Sequence, residues 1–348
     1  KMQTAWAGRS RYLRTSDREL QCMQTGAGFQ SLTPDLLLDA VENALGRPMT
    51  GLMQPLTSYI NRVYELQARD GDRFIAKFYR PGRWSKEAID EEHRFVLECA
   101  GDEIPVAPPL QLANGHTRDE VENIAFAVYE KRFGRELEPL SEEDWQRLGH
   151  AVGRLHVVGA RGDAPYRVRM HPQTSTANDI AQLLEGNFVT PRYRGEFESI
   201  TADILEVITP LFENQEMIRI HGDCHSGNLL DRPGHGLLII DFDDMMTGPP
   251  VQDLWMLLPE HANHARREVN LILEGYELFR QFDDRSLVLI EPLRAMRILY
   301  FLAWCSRQYE DPKFHHNFPD WGSDAFWARE VADLRRQLRV IQQHLGGA

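Results

Sequence analysis

From residue 33 to residue 46 the apolar side chains recur at helical spacing, with Leu36, Leu37, Ala40, Val41 and Ala44 forming one stripe. Thr33 and Pro34 stand where an N-cap and a first helical residue belong, and Gly46 stands where the helix ends. Alternating runs follow at 62–67 and 73–79, separated by Asp70-Gly71, a pair that tolerates the positive φ of a tight hairpin. With that pair as a two-residue loop, Tyr64 faces Lys77 and Leu66 faces Ile75. Lys77 then shares a sheet face with Tyr64, Leu66 and Ile75. A lysine on an apolar sheet face is costly unless it meets an anion.

Ser85 caps a second predicted helix that runs to about Cys99, with Glu87 and Asp90 in its first turn. Ile89, Val96, Cys99 and Ala100 fall on one side of it. At 100° per residue Glu92 lies on the edge of that apolar face and Glu91 points nearly away, so Glu92 is the acid placed to reach inward. Residues 105–109 read as an extended connection, 125–130 as a buried strand, and Gly134 as a hinge position. Helical patterns then dominate, at 141–159, 196–214, 263–281, 286–308 and 324–345, broken by a compact β segment at 217–242. A mainly β first third and a mainly helical remainder predict an α+β fold of two lobes with a cleft between them. The expected division is a flexible extension at 1–28, a first lobe at 29–133 with a hinge near 129–134, and a helical lobe at 134–348.

Composition narrows the function classes. The net charge of −13 speaks against non-specific nucleic-acid binding, which depends on Lys and Arg neutralising phosphates. It fits solvated acidic surface first and a cationic substrate second. No stretch is long and apolar enough to cross a bilayer. Cys22, Cys99, Cys224 and Cys305 are scattered without a Cys-x-x-Cys pair, so neither zinc nor a disulfide framework is expected. The chain starts without a signal-peptide pattern, and the expected setting is a monomer in the cytoplasm.

The chemistry concentrates in His221-Gly222-Asp223-Cys224-His225-Ser226-Gly227-Asn228, followed by Leu237-Leu238-Ile239-Ile240-Asp241. Strand ends flank this stretch, so Asp223, Asn228 and Asp241 fall in irregular backbone held by a rigid scaffold. Phosphoryl transfer needs a carboxylate to receive the hydroxyl proton, hard oxygen ligands for Mg²⁺, and a cation on the non-transferred phosphates. Asp223 supplies the first, Asn228 and Asp241 the second, and Lys77 paired with Glu92 the third. A zinc reading of His221, Cys224 and His225 lacks a further soft ligand. His221 reads instead as a packed residue holding the loop, and Cys224 has no base beside it to make it a nucleophile. Asp243 and Asp244 read as solvated acids first and as water-mediated metal partners second, His315-His316 as an exposed loop pair, and Tyr300, Phe301 and Trp304, at helical spacing, as core first and as the lining of a substrate groove second.

The ordered set His-Gly-Asp-x4-Asn, apolar strand, Asp resembles the aminoglycoside phosphotransferase and choline kinase superfamily, whose catalytic loop has His-Gly-Asp where protein kinases have His-Arg-Asp. The likeness narrows to the bacterial stress response kinase A family. It rests on Ser58-Tyr59-Ile60-Asn61-Arg62-Val63-Tyr64, Lys77-Phe78-Tyr79-Arg80-Pro81, the run from Gly248 to Leu258, and the run from Ile290 to Arg297. The resemblance implies a protein-kinase-like α+β fold and ATP- and Mg²⁺-dependent phosphorylation of Ser or Thr in a protein substrate. It further implies Asp223 as proton acceptor, Asn228 and Asp241 as metal ligands, and Lys77, salt-bridged to Glu92, as phosphate anchor. Ser58 is implied over the ATP phosphates, Asp253 as a brace for the catalytic loop, and Glu130 and Arg132 as backbone partners of adenine. Two alternatives stay open: a small-molecule kinase acting on an amino alcohol or aminoglycoside, and a nucleotide-binding scaffold without turnover. The sequence departs from protein kinases generally in having Leu56-Thr57-Ser58-Tyr59-Ile60-Asn61 in place of a Gly-rich loop. Only Met245 to Gly248 stands where an activation segment would be, so control by activation-loop phosphorylation is not expected.

Overall fold

The computed structural model describes residues 28–346 apart from 57, 59 and 140. The expected extension at 1–28 therefore lies, but for Gly28, outside the described residues, as does Cys22. The chain divides into two compact units: residues up to Glu138 with Ser226–Asp243, and Pro139–His225 with Asp244–Ala348.

The first unit is built on an antiparallel sheet of β1 (Met49–Leu56), β2 (Arg62–Ala68), β3 (Arg73–Phe78), β4 (Asp119–Val121) and β5 (Ile124–Glu130), in the order β1-β2-β3-β5-β4. Helix α1 (Pro34–Leu45) begins as expected, with the Thr33 hydroxyl accepting from Leu36 N–H and Gly46 closing it at φ 63°. Its Leu37, Val41 and Ala44 pack with Leu66, Phe74, Ala76, Phe78, Phe126 and Val128 in one core. Helix α2 (Lys86–Gly101) starts at the Ser85 cap, and Ile89 packs with Tyr79 and Ala127.

The hairpin register differs from the expected one by a residue. Lys77 pairs with Val63, Tyr64 with Ala76 and Leu66 with Phe74. The last pair is Gln67 with Arg73, and Ala68 N–H donates to Asp72 O at 2.9 Å, so the turn is longer than Asp70-Gly71 alone. The Arg47 guanidinium pairs with both Asp70 and Asp72 on the outside of this wider turn. Because side chains alternate, a slip of one residue exchanges the faces. Tyr64 and Leu66 belong with the α1 core, while Lys77 shares its face with Ile75, Val63, Ala127 and Tyr129. Strand β1 was not predicted, since Gly51 and Pro55 interrupt its pattern. It sits at the sheet edge with an irregular register between Met49 and Met53, where both residues are tolerated.

A second sheet of the same unit joins β6 (Arg135–Glu136), β8 (Leu229–Arg232) and β9 (Gly236–Ile239) in the order β6-β8-β9. This pairing carries residues 226–243 into the first unit, whereas the sequence reading assigned everything beyond 133 to the helical lobe. Strand pairing reaches back over nearly a hundred residues, which no local pattern registers.

In the second unit the main helices are α3 (Glu142–Gly159), α4 (Ala177–Glu185), α5 (Pro191–Ile208), α6 (Val251–Trp255), α7 (Arg266–Tyr276), α8 (Ile290–Arg307), α9 (Pro312–Asn317) and α10 (Asp324–Gly346). Helices α3 and α7 approach so closely that a Cβ on Gly149 would lie 1.9 Å from the Ile272 carbonyl oxygen. A short pair, β7 (Ile218–Ile220) with β10 (Met246–Gly248), runs beside them. Buried Arg219 of β7 donates to Val158 O at 2.9 Å and Gly159 O at 3.3 Å, satisfying carbonyls at the end of α3. The His315-His316 pair is exposed, but in α9 rather than in a loop.

Candidate active site

Lys77 is the centre of the charged group in the first unit. Its Nζ lies 3.1 Å from Asp243, 3.3 Å from Asp241 and 3.7 Å from Glu92, with the Tyr79 ring at 4.9 Å. Burial works to lower its pKa, but Asp243, Glu92 and Asp241 outweigh that and hold the ammonium well above the usual lysine range. The expected Lys77–Glu92 pair is therefore present within a larger cluster. Asp243 is not the solvated acid the sequence suggested: it is 5% exposed and also holds Arg83 at 3.1 Å. Glu91 was expected to point outward and is buried as well, because α2 is covered on most of its circumference. Phe95 of α2 meets Phe242 edge-on at 5.9 Å and seats the Asp241–Asp243 segment against that helix.

Asp241 follows β9 with φ 61°, the left-handed region. Few residues adopt it, and Asp and Asn do so more readily than most. The turn sends its carboxylate out of the ladder, with the side chain 55% exposed. Ile240 N–H donates to Asn228 O at 3.0 Å, so Asn228 and Asp241 stand at adjoining ends of β8 and β9. Among the described residues no three His, Cys, Asp or Glu side chains gather into a metal cage. One amide and one accessible carboxylate fit a hard cation that takes its remaining oxygens from water and substrate phosphates, as Mg²⁺ commonly does.

Ser58 lies in the turn between β1 and β2, and its neighbours Thr57 and Tyr59 fall outside the described residues. Glu130 ends β5 opposite Phe74, and Lys131 N–H donates to Arg73 O at 3.0 Å. In that alternation the Glu130 N–H and C=O point away from β3. The Glu130 and Arg132 side chains pair with each other at 2.6 Å on the surface.

Asp223 belongs to the second unit, on the loop after β7. Asp253, fully buried, accepts the backbone N–H of His221 at 2.7 Å and of Gly222 at 2.9 Å, the bracing expected of it. His156 holds Asp253 at 3.0 Å and meets the Tyr276 hydroxyl with its other ring nitrogen. Gly222 has φ 83°, and a Cβ there would stand 2.2 Å from the Asp244 carbonyl oxygen. That is the physical reason for glycine in this His-Gly-Asp. His221 is buried and accepts from Asp223 N–H at 3.3 Å, which fits its reading as a packed loop residue.

The sequence reading gave Arg297 no role. Its Nη2 donates to Asp223 Oδ1 at 2.6 Å, and His225 lies 3.6 Å from Oδ2. Burial works to raise the Asp223 pKa, but Arg297 and His225 hold it far below the usual carboxylate range. Arg297 lies over the Tyr300 ring at 5.0 Å, and the Tyr300 hydroxyl donates to Asp244 at 3.1 Å. Asp244 is thus tied to an aromatic partner rather than solvated. Tyr300, Phe301 and Trp304 are half-buried, not core. Arginine seven residues after Ile290 was visible in the motif, but nothing local paired it with Asp223.

A family model described as the phosphotransferase enzyme family (APH) matches residues 53–287. Stress response kinase A of Escherichia coli (strain K12) is 38% identical over 321 residues, covering 90% of this chain and 95% of the relative. Serine/threonine protein kinase RdoA of Salmonella typhimurium (strain LT2) is 37% identical over 320 residues, with the same coverage of 90% and 95%. Among solved structures, amicoumacin kinase hAmiN in complex with AMP-PNP, Ca²⁺ and Ami aligns with a TM-score of 0.69 at 20% identity, covering 89% of this chain and 93% of that one. A microcompartment-associated aminopropanol kinase aligns at 0.66 and 16% identity, covering 90% and 98%. The chain has the protein-kinase-like α+β fold and belongs to the phosphotransferase enzyme family, with stress response kinase A among its relatives.

Proposed function

We propose that this chain transfers the γ-phosphoryl group of ATP to Ser or Thr hydroxyls of a protein substrate, in the cytoplasm. The observation that carries the reading is the Asp223 carboxylate, half-buried yet reachable, kept ionised by Arg297, and mounted on a loop pinned by Asp253. A binding-only scaffold has no use for such a base. The 37–38% identity to proteins named as a stress response kinase and a Ser/Thr protein kinase supports the protein acceptor. Cys99, Cys224 and Cys305 are buried thiols rather than disulfides, which supports a reducing compartment, and no described helix is long and apolar enough to cross a membrane.

In this reading Asp223 orients the acceptor hydroxyl and takes its proton as the new O–P bond forms and the β–γ bridging bond breaks. It passes the proton to solvent after ADP leaves. Lys77 offers its charge to the non-transferred phosphates, oriented by Glu92 and Asp243. Ser58 would lie over the phosphates, and the outward-facing Glu130 backbone with that of Arg132 would take adenine. Magnesium held by Asn228 and Asp241 would neutralise phosphate charge.

The test is incubation of the purified chain with γ-phosphate-labelled ATP and Mg²⁺, offering generic proteins and a panel of amino alcohols and aminoglycosides. Label on Ser or Thr that disappears in Asp223→Asn, with ATP binding retained, is the expected result. The carboxylate contributes about 10²–10⁴-fold. Rapid labelling of an amino alcohol or aminoglycoside with no protein labelling would replace the protein-kinase reading by the small-molecule one.

A further inference from the structure

We infer that Arg297 selects the acceptor: anchored to Asp223 by one N–H, it presents its remaining N–H edge to a carbonyl or carboxylate oxygen beside the reacting hydroxyl and disfavours an ammonium there. The inference rests on the Ser/Thr reading of the same site and specifies its substrate chemistry.

A guanidinium carries five N–H donors. Among the described residues Arg297 makes one hydrogen bond, to Asp223 Oδ1, and its side chain is 19% exposed rather than sealed. The Tyr300 ring at 5.0 Å covers one face, and Tyr300 is itself fixed by its bond to Asp244. The fork is therefore held in place with donors to spare. A peptide carbonyl next to a Ser or Thr hydroxyl meets such a fork in hydrogen-bond geometry. An amino alcohol brings an ammonium within a few ångströms of the guanidinium instead, and like charges that close oppose each other. The acids that act on Arg297 are Asp223 and Asp244; His225 lies against Asp223 Oδ2, and Arg307, itself paired to Asp179, stands 5.9 Å from the Tyr300 ring.

The same helix extends the surface. Arg297, Phe301 and Trp304 stand at i, i+4 and i+7 on one face of α8, and the two rings stack at 5.7 Å with 15° between planes. Both are half-buried, leaving a flat apolar area beside the fork that suits a residue flanking the acceptor in a polypeptide.

The experiment compares wild type, Arg297→Gln and Arg297→Lys in steady-state kinetics with a blocked serine peptide and with ethanolamine, alongside KM for ATP and thermal melting. Arg297→Gln is expected to raise peptide KM roughly 10- to 100-fold, the factor a lost hydrogen bond to a charged group carries. KM for ATP stays near wild type, and kcat/KM for ethanolamine rises at least about tenfold as the opposing charge goes. Arg297→Lys keeps the charge but loses the fork, so peptide KM rises while ethanolamine stays excluded. The Lys variant supplies the KM comparison if Gln unfolds. A merely structural role would lower melting temperature and kcat for both acceptors with peptide KM unchanged. Unchanged peptide KM in a variant that still labels the peptide overturns the inference and leaves the Ser/Thr reading standing. Absence of peptide labelling by wild type overturns that reading and the inference with it.

Discussion

Lys77 Nζ stands 3.1 Å from Asp243 and 3.7 Å from Glu92, so the nearer partner is the acid on the segment after β9 rather than the one on α2. Asp243 also holds Arg83 at 3.1 Å, which makes it the bridge between two cations. Lys77→Met leaves three carboxylates without their shared cation and is expected to lower stability by about 3–5 kcal/mol in urea unfolding. Lys77→Met and Asp243→Asn together should depart from additivity by about 0.5–3 kcal/mol, because each variant removes the other's partner. Strict additivity would mean the contact carries no coupling.

Asp241→Ala should weaken Mg²⁺-dependent nucleotide binding by more than the roughly 10- to 100-fold that changes around a metal's ligands cause. Alanine is strained at φ 61° and Lys77 loses one partner, so melting without nucleotide should show only a modest loss, on the order of the 1–2 kcal/mol that left-handed backbone costs. Titration of nucleotide affinity against Mg²⁺ reads the effect. An unchanged metal dependence would reduce Asp241 to a strand terminus.

Gly222→Ala should disable the catalytic loop. The added Cβ meets a left-handed φ of 83° and a backbone oxygen 2.2 Å away. The backbone strain alone costs about 1–2 kcal/mol, and relieving the clash must pull Gly222 N–H off Asp253. Phosphoryl transfer is expected to fall further than stability does, read by labelled-ATP assay beside thermal melting. Wild-type turnover in this variant would show the loop to be pliable.

Glu291 gives the stability a pH dependence. It is 2% exposed, and burial works to raise its pKa, but His261, Arg294 and Gln337 hold it down at about 2. The folded pKa lies below the unfolded one, so the unfolded chain binds the proton first as pH falls. The contribution, about 3 kcal/mol, is complete above the unfolded value and drains away roughly between pH 5 and pH 2. Glu291→Gln should flatten the stability profile over that window. Acid unfolding identical to wild type would remove Glu291 from this role.

Some of this protein is written in stretches of a few residues. Thr33 and Ser85 cap the helices they precede and Gly46 ends α1, because capping and φ preference act between near neighbours. The helical pattern at 324–345 is the helix Asp324–Gly346, since periodicity alone defines an amphipathic face. His-Gly-Asp-x4-Asn and the following strand and Asp marked the candidate site for the same reason: the chemistry needs those residue types close together. The Asp70-Gly71 signal found the hairpin but not its register, which follows from the burial of Leu66 and Tyr64 in the α1 core, a long-range choice the turn pair does not encode.

What the sequence by itself determined, then, is where α1, α2 and α10 lie, which short stretch holds Asp223, Asn228 and Asp241, and the family those residues announce. Only the tertiary structure decided that Asp243 is buried between Lys77 and Arg83, that Asp244 is bonded to Tyr300, and that Arg297 holds Asp223. Asp244 and Tyr300 are 56 positions apart in sequence, and Asp223 and Arg297 are 74 apart. Charge on an isolated side chain says nothing of its partner. The partner is fixed when packing excludes water and leaves the ion one place to be neutralised.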